Sequence, residues 1–414
     1  MIVAPLMDRV RFSPVEASTA TLAATLASSP PQNRSRVLRV ASAAMLVASA
    51  ITLGGCGWLW GKEEKPLAAL PDFKASVNAR ISWQHALNTP SQPGFAPVPT
   101  EKSVYVATPE GAVVGLDATS GRERWKVATG TKLSAGVGAD SDVVVVGTAK
   151  GDVIAYDETG KPLWRSRVSS EVLGPPRVAD KLVVVWSGDG GVFALSAADG
   201  SRRWVQQRTM PALSVRNHSG GMLAKGGVFL GVAGGKLLAI DLERGLLGWE
   251  GTVAQPKGAT ELERIADVTS LPAVSATLAC AAAYQGRTAC FEPNRGTFVW
   301  SRDIPSKEGV VLDNRHLYVT DDKGAIHALD KDTGASVWKQ DKLVNRWPGG
   351  PQVMGDYLAV VDIQGYVHIL NRNDGSLVGR VATDGTPATS QPVAAGDAIV
   401  FQTRKGGVYS VVAQ

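Results

Sequence analysis

A short pattern that recurs along most of the chain constrains its fold more than any other feature. Its clearest copy, at residues 324–338, reads GAIHALDKDTGASVW. A turn glycine precedes a short apolar run, which is typical of a buried strand. Asp330 and Gly334 then suit a tight loop, because aspartate accepts hydrogen bonds from loop N–H groups and glycine adopts positive φ at little steric cost. Trp338 begins the next strand.

Seven further copies of the pattern follow one another along the chain, and they begin at residues 111, 151, 191, 235, 286, 365 and 407. A second apolar run precedes each copy, such as VVVVGT before the copy at residue 151. In one copy Gly379 replaces the final tryptophan. The last copy ends with the chain, so we expect Trp83, in the segment ARISW, to supply its tryptophan. Seven of the eleven tryptophans thus share one repeat position, at spacings of 38 to 51 residues.

A period near 40 residues with several strands per repeat is the signature of a β-propeller. A single four-stranded blade cannot bury both of its faces, whereas radial stacking buries them against the neighbouring blades. The sequence therefore predicts an all-β fold, an eight-bladed β-propeller over residues 78–414, in which an N-terminal strand completes the last blade. The shared tryptophans are expected to pack between blades.

The N-terminal segment, residues 1–55, is predicted to be a leader followed by a secretory signal. Residues 1–33 are rich in Ala, Ser, Thr and Pro, which leaves open either a disordered leader or a reading frame that starts too early. Residues 34–39, RSRVLR, are basic, and the uncharged run at 40–53 precedes small residues. This order is typical of a signal peptide, and the apolar run is too short for a comfortable membrane span.

Cys56 is the predicted site of lipidation, because the segment LGGC at residues 53–56 resembles the bacterial lipobox. Lipid on this cysteine would anchor the chain without a spanning helix, and residues 56–77 would form a tether. Gly57, rather than aspartate, follows the cysteine. By the same resemblance this implies an outer-membrane lipoprotein that faces the periplasm. The alternative is an ordinary signal peptide with an incidental cysteine.

The two remaining cysteines, Cys280 and Cys290, flank one predicted hairpin. If Gln285 and Gly286 form a two-residue loop, the two thiols point to opposite faces of the sheet, because side chains alternate along a strand. A three- or five-residue loop would reverse that conclusion and permit a disulfide. The two-residue loop is the expected one, so the sequence predicts two buried free thiols.

Nothing in the sequence calls for catalysis, a metal or a cofactor. The five histidines lack the close spacing of a zinc site, and His327 and His368 fall at equivalent repeat positions, so we expect blade residues rather than ligands. There is no GxSxG, P-loop or HExxH motif. The formal net charge is +5 without a basic block that contains aromatic residues, which argues against nucleic-acid binding.

The repeat consists of an aliphatic strand, then Asp, two further residues, Thr or Asn with Gly, and finally tryptophan. This repeat resembles that of the quinoprotein (PQQ) dehydrogenases and of the BamB family. The resemblance covers residues 78–414. The lipobox, the short chain and the lack of an adjacent cysteine pair favour BamB. That family implies a non-enzymatic scaffold of the outer-membrane β-barrel assembly (BAM) complex, without a cofactor. Its implied partners are BamA, the other BAM subunits and unfolded outer-membrane proteins, which could add strands to blade edges.

Two alternatives to this interpretation stay open. One is a PQQ-dependent dehydrogenase, which would require a quinone and calcium. The other is a propeller that binds some other envelope protein or a glycan.

Two inter-blade loops, which occupy the longest repeat intervals, resemble the BamB loops that dock on BamA. In the first, MPALSVR at residues 210–216, Leu213, Val215 and Arg216 match the family pattern. Apolar side chains beside an arginine suit a binding hot spot. In the alternative interpretation Leu213 and Val215 pack under their own loop, and Arg216 pairs internally with Asp267.

The second loop, residues 261–269, resembles a BamB segment of acidic, arginine and aspartate residues. Arg264 and Asp267 match that segment, whereas Thr269 stands where the family has a second aspartate. The resemblance therefore predicts Arg264, Asp267 and Thr269 as partner-binding positions, with a weaker case for an acidic pair.

Overall fold

Thirty-two short β-strands and no helix make up the part of the chain that the computed structural model describes, namely residues 67–211, 213–215 and 220–414. These residues belong to one compact unit, Lys65–Gln414. No helix that could cross a membrane occurs within these three ranges. The predictions for residues 1–66, including lipidation of Cys56, and those for Arg216 and His218 lie outside the described residues.

The chain begins its regular structure with strand β1 (Ala79–Ala86) and then forms four-stranded antiparallel sheets in sequence order. Blade 1 contains β2 (Val98–Pro99), β3 (Ser103–Ala107), β4 (Ala112–Asp117) and β5 (Glu123–Ala128). Blade 2 contains β6 (Gly138–Ala139), β7 (Val143–Gly147), β8 (Asp152–Asp157) and β9 (Pro162–Arg167). Blade 3 contains β10 (Arg177–Ala179), β11 (Leu182–Trp186), β12 (Gly191–Ser196) and β13 (Arg202–Gln207). Blade 4 contains β14 (Met222–Ala224), β15 (Gly227–Val232), β16 (Lys236–Asp241) and β17 (Leu247–Thr252).

The remaining blades continue this order. Blade 5 contains β18 (Ala273–Val274), β19 (Ala279–Ala282), β20 (Thr288–Phe291) and β21 (Phe298–Arg302). Blade 6 contains β22 (Val310–Leu312), β23 (His316–Thr320), β24 (Ile326–Asp330) and β25 (Ser336–Gln340). Blade 7 contains β26 (Gln352–Met354), β27 (Tyr357–Val361), β28 (Tyr366–Asn371) and β29 (Leu377–Ala382). Blade 8 contains β30 (Val393–Ala395), β31 (Ala398–Gln402) and β32 (Gly407–Ala413).

Blade 8 is completed by strand β1, which pairs with β32 in antiparallel fashion. Ala79 lies opposite Ala413, and Ala86 lies opposite Gly407. The predicted eight-bladed propeller and its closure by an N-terminal strand are therefore confirmed. The closure is non-covalent, since the two paired strands come from the two ends of the propeller sequence.

The burial of each strand follows its place in the blade. The middle strands are buried along almost their whole length, as in β7, where all five residues VVVVG are buried. Both faces of a middle strand pack against neighbouring blades, which explains a continuous apolar run in place of an alternating one. Most outer strands alternate exposed residues with more buried ones, as in β9, PLWRSR.

The repeat tryptophans pack between blades, as predicted. Each indole N–H donates a hydrogen bond of 2.7–3.0 Å to a backbone carbonyl of the next blade. A turn glycine of that blade lies against the ring; a Cβ on Gly245, for example, would lie 2.5 Å from Trp204. The donor–acceptor pairs are Trp83–Ala118, Trp125–Glu158, Trp164–Ala197, Trp204–Leu242, Trp249–Pro293, Trp300–Lys331 and Trp338–Arg372.

Gly379 replaces the tryptophan at the junction of blades 7 and 8. Blade 8 has no turn between its third and outer strands, because β32 and β1 come from the two ends of the propeller sequence. There the N-terminal segment approaches the outer strand, and Ser76 and Val77 donate backbone hydrogen bonds of 3.0 and 3.1 Å to the carbonyl of Val378. A Cβ on Gly379 would lie 3.2 Å from the carbonyl oxygen of Val77. A tryptophan at this position would collide with the incoming chain.

The prediction of two free thiols was wrong, because Cys280 and Cys290 form a disulfide. Ala282 pairs with Thr288, so the hairpin loop spans five residues and not two. That loop length places Cys280 directly opposite Cys290 on the same face of the sheet, with their Cα atoms 4.1 Å apart. The disulfide joins the middle strands β19 and β20 of blade 5.

Candidate docking surface

One face of the propeller, called here the loop face, carries the connections between blades and the turns between the second and third strands. Both predicted docking segments belong to such connections: one joins β13 to β14 and the other joins β17 to β18. Isolated β-bridges tie several connections to the neighbouring turns. These bridges pair Leu133 with Thr148, Val172 with Ser187 and Ala388 with Thr403.

Apolar side chains of the two docking segments project into solvent on the loop face. Leu213 is 51% exposed, and Met210 and Leu262 are exposed as well. Val215 is only half-buried. Arg216 lies outside the described residues, so its predicted partnership with BamA or with Asp267 stays a prediction. Exposed apolar groups on two segments close to one another are a feature of protein-binding surfaces.

Asp267 connects the two docking segments. Its side chain is only 3% exposed. One carboxylate oxygen accepts a 2.6 Å hydrogen bond from the backbone N–H of Val215, and the other accepts a 2.8 Å bond from that of Gly234. Its backbone carbonyl accepts a further bond from the N–H of Tyr284 in blade 5. Asp267 therefore fixes the first loop onto blades 4 and 5 from the inside.

Arg264 stands on a turn that is closed by its own side chains. The N–H of Thr260 donates to the Glu263 carboxylate at 3.1 Å, and the N–H of Glu263 donates to the Thr260 hydroxyl at 3.3 Å. Such a reciprocal pair rigidifies a chain turn. The guanidinium of Arg264 donates to Glu261 at 3.2 Å and to the Gly258 carbonyl at 3.1 Å. Half of the Arg264 side chain is exposed, so it can also reach a partner.

Thr269, the position that departs from the family pattern, points inward. The residue is half-buried, and its buried hydroxyl finds no hydrogen-bond partner in the described part of the chain. The neighbouring Ser270 hydroxyl is also buried without a hydrogen-bond partner among the described residues. Thr269 therefore lies beside Asp267 in sequence without sharing its bonds to the first loop.

A cavity of about 720 Å³ opens between blades 3 and 4 beneath the first docking segment. Its walls are mainly apolar and include Trp186, Leu230, Met210 and Val215, while Asp267 contributes a polar edge. The buried indole N–H of Trp186 has no hydrogen-bond partner among the described residues. The cavity thus offers mainly apolar volume with a few polar groups at its edge, a combination typical of binding pockets.

An ion-pair chain lies at the rim of this cavity. Arg208 contacts Glu250 at 2.8 Å, and Lys236 contacts the other oxygen of the same carboxylate at 3.3 Å. Burial alone would raise the pKa of the Glu250 carboxyl, but the hydrogen bonds and charges of Arg208 and Lys236 outweigh burial and hold this pKa below its usual value. The rim is therefore a fixed charged edge around an apolar interior.

The structure brings Val215 of the first segment into contact with Asp267 of the second. Leu213 and Thr269 lie close to this pair in sequence, while Arg264 stands on the outer turn of the second segment. Sequence reasoning missed Trp186, the cavity and the ion-pair chain. One feature of the sequence could have indicated the cavity. The longest connections stand next to glycine-rich turns, Gly188–Gly191 and Gly234–Gly235, which leave room for it.

No cluster of three or more His, Cys, Asp or Glu side chains that could hold a metal occurs in the described ranges. His327 and His368 occupy equivalent positions on β24 and β28, and each lies near one aspartate. The distances are 2.9 Å to Asp321 and 3.0 Å to Asp362. Both histidines are blade residues, as predicted.

The eight four-stranded blades, each built on the same repeat, define a β-propeller of the PQQ-like class. The same fold occurs in a quinohemoprotein alcohol dehydrogenase from Pseudomonas putida, with a TM-score of 0.65 and 13% identity over 81% of this chain and 76% of that chain. At that identity the likeness extends to the fold alone.

Closer similarity is found to one family. The family model described as outer membrane protein assembly factor BamB matches residues 75–131, 110–340 and 323–414. The BamB of Bordetella pertussis is 40% identical over 91% of this chain and 98% of its own length, and that of Nitrosomonas eutropha is 44% identical over 79% and 80%. The crystal structure of BamB from Moraxella catarrhalis has a TM-score of 0.73 and 25% identity, covering 81% of this chain and all of that one. The chain belongs to the BamB family.

Proposed function

We propose that this chain is an outer membrane protein assembly factor, a lipid-anchored scaffold that docks on BamA within the BAM complex and aids the insertion of client outer-membrane proteins. The relatives are named outer membrane protein assembly factor BamB. In this proposal the lipid is attached at Cys56, the propeller faces the periplasm, and the chain binds partners without catalysing a reaction.

The observation that carries the proposal is the joining of the two longest inter-blade loops by Asp267 next to an apolar cavity. Leu213 and Met210 present apolar surface above that cavity. Their backbone is held by the bond between Val215 and Asp267, so less conformational entropy is lost when a partner binds. A rigid apolar anchor beside a pocket is the usual composition of a binding hot spot.

Within this surface the residues have different roles. Leu213, Val215, Arg216 and Arg264 would contact the partner. Asp267 would act as a positioning residue, because both of its oxygens are already bonded inside the chain. Thr269 would extend the surface beside Asp267 without supplying charge.

Co-purification of BamA tests the proposal. A tagged full-length chain would be isolated from detergent-solubilised envelopes as wild type, as Leu213→Asp and as Leu163→Asp. Leu163 is a matched control because it is 46% exposed, close to the value for Leu213, but lies on the outer strand β9 of blade 2. BamA should accompany the wild type and Leu163→Asp and be lost from Leu213→Asp.

Equal recovery of BamA with all three proteins would remove the docking role of Leu213. Absence of BamA from the wild type would contradict the partner itself. Circular dichroism and thermal unfolding of each variant must match the wild type, so that loss of binding is not loss of fold.

A further inference from the structure

Two apolar side chains stand exposed on the loop face at blades 6 and 7, away from the docking segments on blades 3 to 5. Trp347 is 45% exposed and Ile363 is 40% exposed. The N–H of Ile363 donates to the carbonyl of Arg346 at 3.2 Å, so the two residues lie on adjacent backbone segments. A large exposed tryptophan is uncommon on a surface with no partner.

The backbone that presents Trp347 is strained. Asn345 and Trp347 have φ values of 62° and 45°, in the left-handed region. Asparagine adopts this region fairly readily, whereas for a bulky side chain such as that of Trp347 it is an outlier. Strain of this kind persists only where the surroundings over-determine the conformation, and it clusters at functional sites.

The surroundings of the strained segment are a buried charged network. Arg346 lies between Asn345 and Trp347 and is almost fully buried. Its Nε donates to Asp362 at 2.8 Å, and its Nη2 donates to Gln364 at 2.7 Å. The same Asp362 oxygen lies 3.0 Å from Nε2 of the buried His368. This network fixes the loop in the conformation that leaves Trp347 in solvent.

The first described residues of the N-terminal segment contact this same loop. Arg346 donates a hydrogen bond from Nη1 to the carbonyl of Ala68, and the N–H of Ala68 donates to the carbonyl of Asn345 at 3.4 Å. Cys56, the proposed lipid-bearing residue, precedes Ala68 by 12 positions. Even a fully extended segment of that length spans only about 40 Å. The described chain therefore begins beside this loop, and a lipid on Cys56 would hold the loop within about 40 Å of the membrane.

We propose that Trp347 and Ile363 form a second, non-covalent contact with the bilayer, at the level of the lipid headgroups. Tryptophan prefers this region because its ring is apolar and its N–H is polar. The inference rests on the proposed lipid anchor at Cys56. Such a contact orients the loop face, and with it the docking segments, towards the membrane that holds the partner.

The contact is apolar rather than electrostatic in character. The exposed charges beside it are balanced, since Asp341 precedes Lys342 and Asp322 precedes Lys323. Attraction to anionic headgroups would weaken strongly at about 1 M salt, where the Debye length is about 3 Å. We therefore expect the contact of Trp347 and Ile363 to persist at that salt concentration.

Fluorescence quenching in vesicles tests this inference. The full-length lipidated chain would carry the environment-sensitive dye NBD at Ile363→Cys or, as control, at Asp397→Cys, an exposed turn position between β30 and β31 on the opposite face. Vesicles of phosphatidylethanolamine and phosphatidylglycerol would contain nitroxide-labelled lipid. Quenching at position 363 should be several-fold stronger than at 397, should persist at high salt, and should fall when Trp347→Ala is added.

The outcomes separate the inference from the proposed function. If the protein floats with the vesicles but position 363 is quenched no more than position 397, the bilayer contact is overturned and the lipid anchor stands. If the protein does not float at all, the anchor at Cys56 fails and the inference fails with it. Quenching at 363 that Trp347→Ala leaves unchanged would overturn the role of the tryptophan.

Discussion

At the scale of single residues, the chain uses buried carboxylates to hold loops in place. Asp267 accepts backbone bonds from Val215 and Gly234, and Asp362 binds Arg346 and His368. A buried acceptor of this kind is costly to remove, because the donors it satisfied are left without water or protein partners. The loop face therefore depends on residues that do not themselves reach its surface.

Asp267→Ala should loosen the first docking segment. The N–H groups of Val215 and Gly234 would lose their acceptor, at a cost of about 1–3 kcal/mol in the free energy of unfolding. Amide hydrogen exchange should show faster exchange at both positions, and affinity for BamA should fall. Asp303→Ala, at an almost fully exposed side chain, is the control and should change neither quantity. If the Val215 amide stayed equally protected from exchange, Asp267 would not hold the first docking segment in place.

His368 should make the stability of blade 7 depend on pH. Burial lowers the pKa of His368, although the bond to Asp362 opposes this effect. The unfolded chain therefore binds a proton at His368 near pH 6.5, whereas the folded chain binds it only at lower pH. The contribution of neutral, buried His368 to the free energy of unfolding is fully present above about pH 6.5. It is lost as the pH falls from there through the lower pKa of the folded chain. Urea unfolding at pH 7.5 and 5.5 should show a smaller loss for His368→Gln than for the wild type; an equal loss would refute this role.

At the scale of elements, the repeat explains the strands but not the loops. Asp330, Gly334 and Trp338 could be placed from sequence because each acts within its own turn or against the next copy. The hairpin of blade 5 could not, since its five-residue loop is bonded to the connections on either side, through Asp267 and Ser306, and does not depend on Gln285 and Gly286 alone. The bond between Asp267 and Val215 joins residues 52 positions apart, and no local pattern predicts it.

The disulfide of blade 5 should stabilise the propeller in an oxidising compartment. Its middle strands are rich in alanine, so they bury less side-chain volume than the valine-rich strands of blade 2. Closing a loop of this length is worth about 3 kcal/mol in the chain-entropy model. The double variant Cys280→Ala/Cys290→Ala should unfold at lower denaturant concentration and be insensitive to reductant. A wild type whose midpoint does not change under reductant would contradict this contribution.

At the scale of the whole molecule, the ring depends on one strand from far along the chain. Strand β1 gives blade 8 its outer edge, and Trp83 joins that blade to blade 1 through the carbonyl of Ala118. The repeat period made this closure predictable, because the last copy lacks its final strand and tryptophan. The docking surface was predictable only as a pair of long loops, since the cavity arises from how blades 3 and 4 face each other.

Truncation should show how far the ring depends on that closure. A chain that begins at Leu67 keeps β1. A chain that begins at Leu87 exposes the edge of β32 and lacks Trp83, which packs against blade 1. The shorter chain should lose the cooperative thermal transition and aggregate, because an unpaired strand edge is a template for association. The longer chain is the control. Equal melting of the two would mean that β1 contributes little to closure.

Photo-crosslinking in living cells tests the central claim most directly. A photoreactive phenylalanine analogue would replace Leu213 on the loop face or, in a parallel strain, Leu163 on the outer strand of blade 2. We expect an adduct with BamA from position 213 and none from position 163. An adduct from position 163 alone, or none from either position in a chain that still folds, would contradict docking through the loops of blades 3 to 5.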